Sequence, residues 1–100
     1  MEYIEPIAGV SFRPREVKLL LQTLPDGYKV ALLPEPSNKF DPFALQIIDP
    51  ASEAHLGYVP RSHSQIFATD LLEGREISAR IFGRSSPPLI QYLITDEHPL

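Results

Sequence analysis

Apolar positions along the chain change period several times, and the changes divide it into short elements. Tyr3 to Ser11 is largely apolar and runs into Gly9-Val10-Ser11-Phe12, which predicts a strand reaching about residue 12. Pro14 suits the first turn of a helix, where its missing N–H costs nothing, and Val17, Leu20, Leu21 and Leu24 then form an amphipathic stripe. Pro25-Asp26-Gly27 stops that helix, and Tyr28 to Leu33 reads as a strand closed by Pro34 and Pro36. A Pro/Asn/Asp-rich loop then breaks into the apolar run Phe43 to Ile48, predicted as a strand. After the turn Asp49-Pro50-Ala51-Ser52, Ala54 to Val59 is expected to pair back as a hairpin. Ser62 is the expected N-cap of a second helix, with Ile66, Phe67, Leu71 and Leu72 as its buried stripe and Glu73-Gly74-Arg75 as its end. Ile77, Ala79 and Ile81 alternate with Ser78, Arg80 and Phe82 in a half-buried strand. Ser85-Ser86-Pro87-Pro88 reads as a loop, Leu89 to Ile94 as the last strand, and residues 95–100 as a frayed tail.

The predicted order is β-α-β-β-β-α-β-β, a mainly β (α+β) domain with two helices. Strands this short, joined by loops this rich in proline, favour a curled sheet or small barrel over a parallel α/β sheet. No internal repeat or low-complexity tract divides the chain, so residues 1–100 are expected to form a single domain with a core at about 6–94.

One hundred residues lie near the lower end of what a single core sustains without staples. There is no cysteine, hence neither a disulfide framework nor a thiolate metal site, and His55, His63 and His98 are scattered. No metal and no cofactor are expected. No stretch approaches eighteen uninterrupted apolar residues, and Met1-Glu2-Tyr3-Ile4-Glu5 is acidic where a signal peptide is basic. The expectation is a soluble, intracellular (cytoplasmic) domain with no membrane association, monomeric, and nucleoid-associated if bacterial.

The formal net charge of −4 argues against a strong, sequence-blind duplex binder. Its placement weakens that objection for other ligands. Glu2, Glu5, Asp96 and Glu97 sit at the ends, leaving nine acidic and nine basic residues between positions 6 and 95. A neutral body permits a local basic groove but little long-range steering.

Enzymatic signatures are missing: no Gly-rich phosphate loop, no His-Glu-x-x-His, no Gly-x-Ser-x-Gly and no cysteine nucleophile. Asp41 and His63 lack an activated nucleophile to serve. The loop Asn38-Lys39-Phe40-Asp41 holds more. Asn and Asp cap turns with their own side chains, and Phe40 has an even claim on the core. If Phe43, Leu45 and Ile47 point inward, however, Phe40 and Asp41 lie in the entering loop, free to face a ligand. An exposed ring there stacks on any base, and a carboxylate beside it accepts a hydrogen bond from a sugar hydroxyl.

Three segments, Ile7-Ala8-Gly9-Val10, the run from Glu35 to Leu45, and His55-Leu56-Gly57-Tyr58-Val59-Pro60-Arg61, together resemble the HIRAN domain over roughly residues 6 to 84. This is a small module found N-terminal to some chromatin-type helicases and alone in bacteria and phages. The resemblance implies an OB-like or SH3-like curled barrel and binding of free 3′ ends of single-stranded DNA. It implies that Phe12 and Phe40 sandwich the terminal nucleotide, that Asp41 takes the 3′-hydroxyl and that Arg61 contacts phosphate. The eukaryotic end-binders carry Arg-Tyr where this chain has Ser11-Phe12, and tyrosine at both stacking positions. Stacking faces are thereby kept while two hydroxyls and one charge are absent, with Arg13 or Arg15 as the substitute cation.

The candidate nucleic-acid-binding residues are therefore Ser11, Phe12, Arg13, Lys39, Phe40, Asp41 and Arg61. Gly9 and Gly57 are expected to allow close backbone approach, Glu35-Pro36 to serve loop geometry, and Arg80 and Arg84 to lie on the outer face of their strand. The reading is a non-enzymatic module for single-stranded DNA at a 3′ end, serving a helicase or nuclease in DNA repair or processing. The rival is a protein-interaction adaptor or regulatory appendage with no DNA binding of its own.

Overall fold

The computed structural model describes residues 1–83, 85 and 88–95. Six strands and two helices follow one another as β1 (Glu2–Pro6), α1 (Arg15–Thr23), β2 (Lys29–Pro34), β3 (Leu45–Ile48), β4 (His55–Tyr58), α2 (Arg61–Leu72), β5 (Glu76–Phe82) and β6 (Leu89–Thr95). This is the order expected from the hydrophobic pattern. Arg84, the middle of the loop between β5 and β6, and the tail beyond Thr95 lie outside the described residues.

All pairings are antiparallel, in the sheet order β1-β6-β5-β2-β3-β4. The two ends of that order approach each other through the chain that follows β1. Ala8 donates to the Tyr58 carbonyl at 2.9 Å and Tyr58 donates back to the Ala8 carbonyl at 2.8 Å, curling the sheet toward a barrel. Gly57 makes this approach possible. A Cβ there would collide with Ile7 Cγ2 and lie 2.7 Å from the Ala8 carbonyl oxygen.

Inside the curl, Leu45, Ile47, Leu56, Phe67, Ile90 and Tyr92 are fully buried. Helix α1 packs beside β4 and α2 beside β5. Tyr3 of β1 reaches α2 edge-on, with its ring centroid 5.2 Å from Phe67 and 5.3 Å from His63.

Four local expectations are corrected. The first strand ends at Pro6 and does not run to residue 12. Gly9 turns the chain at φ 74° and Val10–Phe12 form a 3-10 turn, a conformation that glycine enters without strain. The inward alternation of β3 begins at Leu45, so Phe43 stays in the loop and is partly exposed. Ser62 is no N-cap: α2 starts at Arg61 after Pro60, and the Ser62 hydroxyl meets His63 Nδ1. The buried face of α2 is narrower than its apolar content, because Ile66 and Leu72 face outward and Ser64 and Phe67 face inward.

Candidate nucleic-acid interface

The loop between β2 and β3 is built by its own polar side chains. Glu35 donates its N–H to the Ala44 carbonyl at 2.9 Å, closing the loop at its base. Asn38 Oδ1 accepts from the N–H groups of Phe40 at 2.9 Å and Asp41 at 3.0 Å. Asp41 Oδ1 accepts from the Phe43 N–H at 2.9 Å, and the Asp41 carbonyl accepts from the Ala44 N–H at 3.0 Å. These are Asx turns, which fix a backbone that otherwise has no ladder to join. With the backbone held this way, the Phe40 ring stands in solvent, 83% exposed.

On the other turn the Phe12 ring is 88% exposed. Neither ring belongs to the core, so the inward reading of Phe40 is set aside by the loop's geometry.

Tyr58 ties the two turns together. Gly9, which opens the 3-10 turn, packs on its ring: a Cβ at Gly9 would lie 3.5 Å from Tyr58 Cδ2. Its hydroxyl donates to Glu35 Oε2 at 2.9 Å. Glu35 also accepts from Gln46 Nε2 and, through Oε1 at 3.4 Å, from Asn38 Nδ2. The Gln46 hydrogen bond, with those from Tyr58 and Asn38, holds the Glu35 carboxyl below its ordinary range against the cost of burial. Glu35, read from sequence as loop geometry alone, is thus the hub that fixes the loop to β3 and β4.

His55 packs edge-on against Tyr58 with centroids 4.7 Å apart, and its Nε2 lies 2.9 Å from the Gly57 carbonyl. Burial, then the nearby Arg13 guanidinium, lowers its pKa, so the ring is neutral at pH 7. Arg13 acts on Tyr58 as well, which places this cation beside the Tyr58–Glu35 hub. Its Nε is buried without a hydrogen-bond partner among the described residues.

The Asp41 side chain reaches the start of α2. Ser64 Oγ donates to Asp41 Oδ2 at 2.6 Å and lies 3.3 Å from the Arg61 carbonyl oxygen. Asp41 and Arg61 are therefore joined through one serine. Arg61 and Lys39 are exposed, and among the described residues neither they nor Arg13 take part in an ion pair.

Not every expected residue joins this cluster. Ser11 is exposed and lines a cavity of about 810 Å³ with Lys18, Gln22 and Gly83, on the α1 side of the 3-10 turn. Arg80 sits within β5 in register with Lys29 and Gln91, half-buried on the face opposite the buried Ala79 and Ile81, as its alternation implied. Tyr58, His55, Glu35 and Ser64 were not among the candidate binding residues read from the sequence. Ser64 alone left a signal: a serine three residues before Phe67 falls on the buried side of a helix, where a hydroxyl needs a partner.

The small curled β-sheet thus carries two loops with exposed aromatic rings, cations without an ion pair among the described residues, and the anchored carboxylate of Asp41. The HIRAN domain family model matches residues 3–86, and the chain belongs to that family. HIRAN is a family of DNA-binding domains. Among solved structures, the HIRAN domain of human HLTF superposes with a TM-score of 0.75 at 11% identity, over 93% of this chain and 74% of that one. A protein from Lactobacillus plantarum does so with a TM-score of 0.75 at 21% identity, over 92% of this chain and 96% of that one. At these identities the likeness is one of fold. No curated protein matches the sequence. Among the described residues no helix is long and apolar enough to cross a membrane, and no group of three His, Asp or Glu side chains could hold a metal ion.

Proposed function

We propose that this chain is a single-strand-binding module that takes the free 3′ end of DNA. The observation that carries the reading is the pair of rings, Phe12 and Phe40, almost fully exposed on two turns that Tyr58 and Glu35 hold together. Exposed aromatic faces fixed by a rigid scaffold are stacking platforms, and base stacking tolerates every base. Arg13, Arg61 and Lys39 supply the charge for a few phosphates, in keeping with a short footprint rather than a tracked duplex. Asp41, held at the edge of the loop, accepts a hydrogen bond from the terminal hydroxyl.

Such a module has no chemistry of its own. It delivers or orients a helicase or nuclease acting in DNA repair or processing, inside the cell. Fluorescence anisotropy with short labelled single strands at low salt tests the reading. Saturable binding that weakens when Phe12 or Phe40 is truncated supports it, whereas a protein-interaction adaptor gives no saturable signal.

A further inference from the structure

We propose that Ser64 is a positioning residue for the 3′ end, setting the orientation of the Asp41 carboxylate from the core side; this rests on the end-binding reading above. Asp41 stands in a loop, yet its two oxygens are held from two different directions. Oδ1 accepts from the Phe43 N–H at 2.9 Å within the loop, and Oδ2 accepts from Ser64 Oγ at 2.6 Å across to α2. Ser64 is itself 1% exposed. The helix that carries it is fixed in the core by Phe67, three residues on and fully buried.

A carboxylate has about four acceptor sites. Two are taken here, one on each oxygen, so rotation about the terminal torsion of Asp41 costs a hydrogen bond in either sense. The remaining sites thereby keep a fixed direction. A ligand hydroxyl then meets an acceptor already aimed, and no side-chain rotamer is ordered on binding.

The dependence runs one way. Without Asp41, Ser64 Oγ still has the Arg61 carbonyl, 3.3 Å away and one helical turn back, as an acceptor. Without Ser64, Asp41 Oδ2 loses its only described donor. The helix therefore does not need Asp41 as a cap, while the orientation of Asp41 does need the helix. Arg61 begins the same helix, so one rigid element sets both the carboxylate for the terminal sugar and the cation for its phosphate.

The test compares 3′-hydroxyl and 3′-phosphate forms of one short single strand on the wild type, Ser64→Ala, Asp41→Ala and the double variant. Ser64→Ala is expected to keep the melting transition within a few degrees and to lower the preference for the hydroxyl end by about 2- to 5-fold. Binding to a circular strand should not change. The double variant should lose no more than Asp41→Ala alone. Ser64→Cys keeps the side-chain shape with a somewhat larger, weaker-donating γ atom, so it gives the same reading should the alanine variant melt early. A Ser64→Ala protein, or a Ser64→Cys protein in its place, that keeps the wild-type preference overturns the role of Ser64 while leaving end recognition standing. A wild type with no preference overturns the end-binding reading, and this role with it.

Discussion

The Tyr58 hydroxyl donates to Glu35 Oε2 at 2.9 Å, so the last residue of β4 and the first residue beyond β2 share one carboxylate. Tyr58 also exchanges backbone hydrogen bonds with Ala8 and supports Gly9. The two ring-bearing turns are thereby referenced to a single side chain in the barrel wall. Neither turn has to be ordered by a ligand, and this preorganisation is what a small site with few charges requires.

Truncating the rings separates binding from folding. Phe12→Ala and Phe40→Ala should each weaken single-strand binding by about 1–3 kcal/mol, the usual cost of one stacking platform. Because the rings are 88% and 83% exposed, thermal melting should be nearly unchanged. Loss of the melting transition in both variants would make the rings structural.

The closing contact of the barrel should be the most fragile point of the fold. Gly57→Ala sets a methyl group against Ile7 and the Ala8 carbonyl, a backbone atom that cannot move aside cheaply. Overpacking of this kind costs about 1–3 kcal/mol or more. A domain of this size should lose about 4–8 °C in Tm for each kcal/mol. A Gly57→Ala protein melting with the wild type would show that the Ala8–Tyr58 bridge opens freely.

Much of this was legible in the sequence, and the places where it was not have physical causes. Element order followed from hydrophobic period and from the prolines, since Leu45 and Ile47, Ile77 to Ile81, and Val17 to Leu24 each keep one period throughout. The segment from Gly9 to Phe12 failed because a strand and a 3-10 turn carry the same apolar composition, and only the φ of Gly9 separates them. Ile66 and Leu72 failed because a helix beside a curled sheet covers only part of its apolar stripe. In the candidate site, Phe12, Phe40 and Asp41 stood out by residue type. Glu35, Tyr58 and Ser64 did not, because their roles are tertiary hydrogen bonds spanning eleven to twenty-three residues.

Charge substitutions should sort Arg13 from Arg61. Arg61→Ala should weaken binding to all sequences alike and reduce the slope of log affinity against log salt by about 0.7, the value for one phosphate of a single strand. Arg13→Ala should do the same and also raise the pKa of His55, since it removes a cation that now opposes protonation. NMR titration of the His55 ring reads the second effect, and an unmoved midpoint would detach Arg13 from the hub.

Stability should fall toward acid in two stages. His55 has a folded pKa below its ordinary 6.5, so the unfolded chain binds the proton more readily, and its contribution is complete above 6.5 and lost as pH falls from there toward the folded value. Glu35, through Gln46, Tyr58 and Asn38, is held below its ordinary 4.5. For Asp49, burial opposes ionisation, but hydrogen bonds from Tyr28, Ser52 and Ala51 outweigh it and hold the carboxyl below 3.8. Both contribute stability that is complete above those values and lost as pH falls through the folded ones. Melting temperature against pH should show both limbs, and His55→Gln should remove the upper one. An upper limb that survives the substitution would assign it elsewhere.

The end itself is the most direct test. A 3′-phosphate removes the hydroxyl donor that Asp41 would accept, at a cost of about 1–3 kcal/mol. It also sets negative charge against the carboxylate, where an effective dielectric near 20 gives up to about 4 kcal/mol at about 4 Å. Competition of one short labelled strand with its 3′-hydroxyl, 3′-phosphate and circularised forms measures the outcome. The account predicts at least about a tenfold preference for the 3′-hydroxyl, or about 1.4 kcal/mol, shrinking in Asp41→Ala. Equal affinity for all three forms would contradict it.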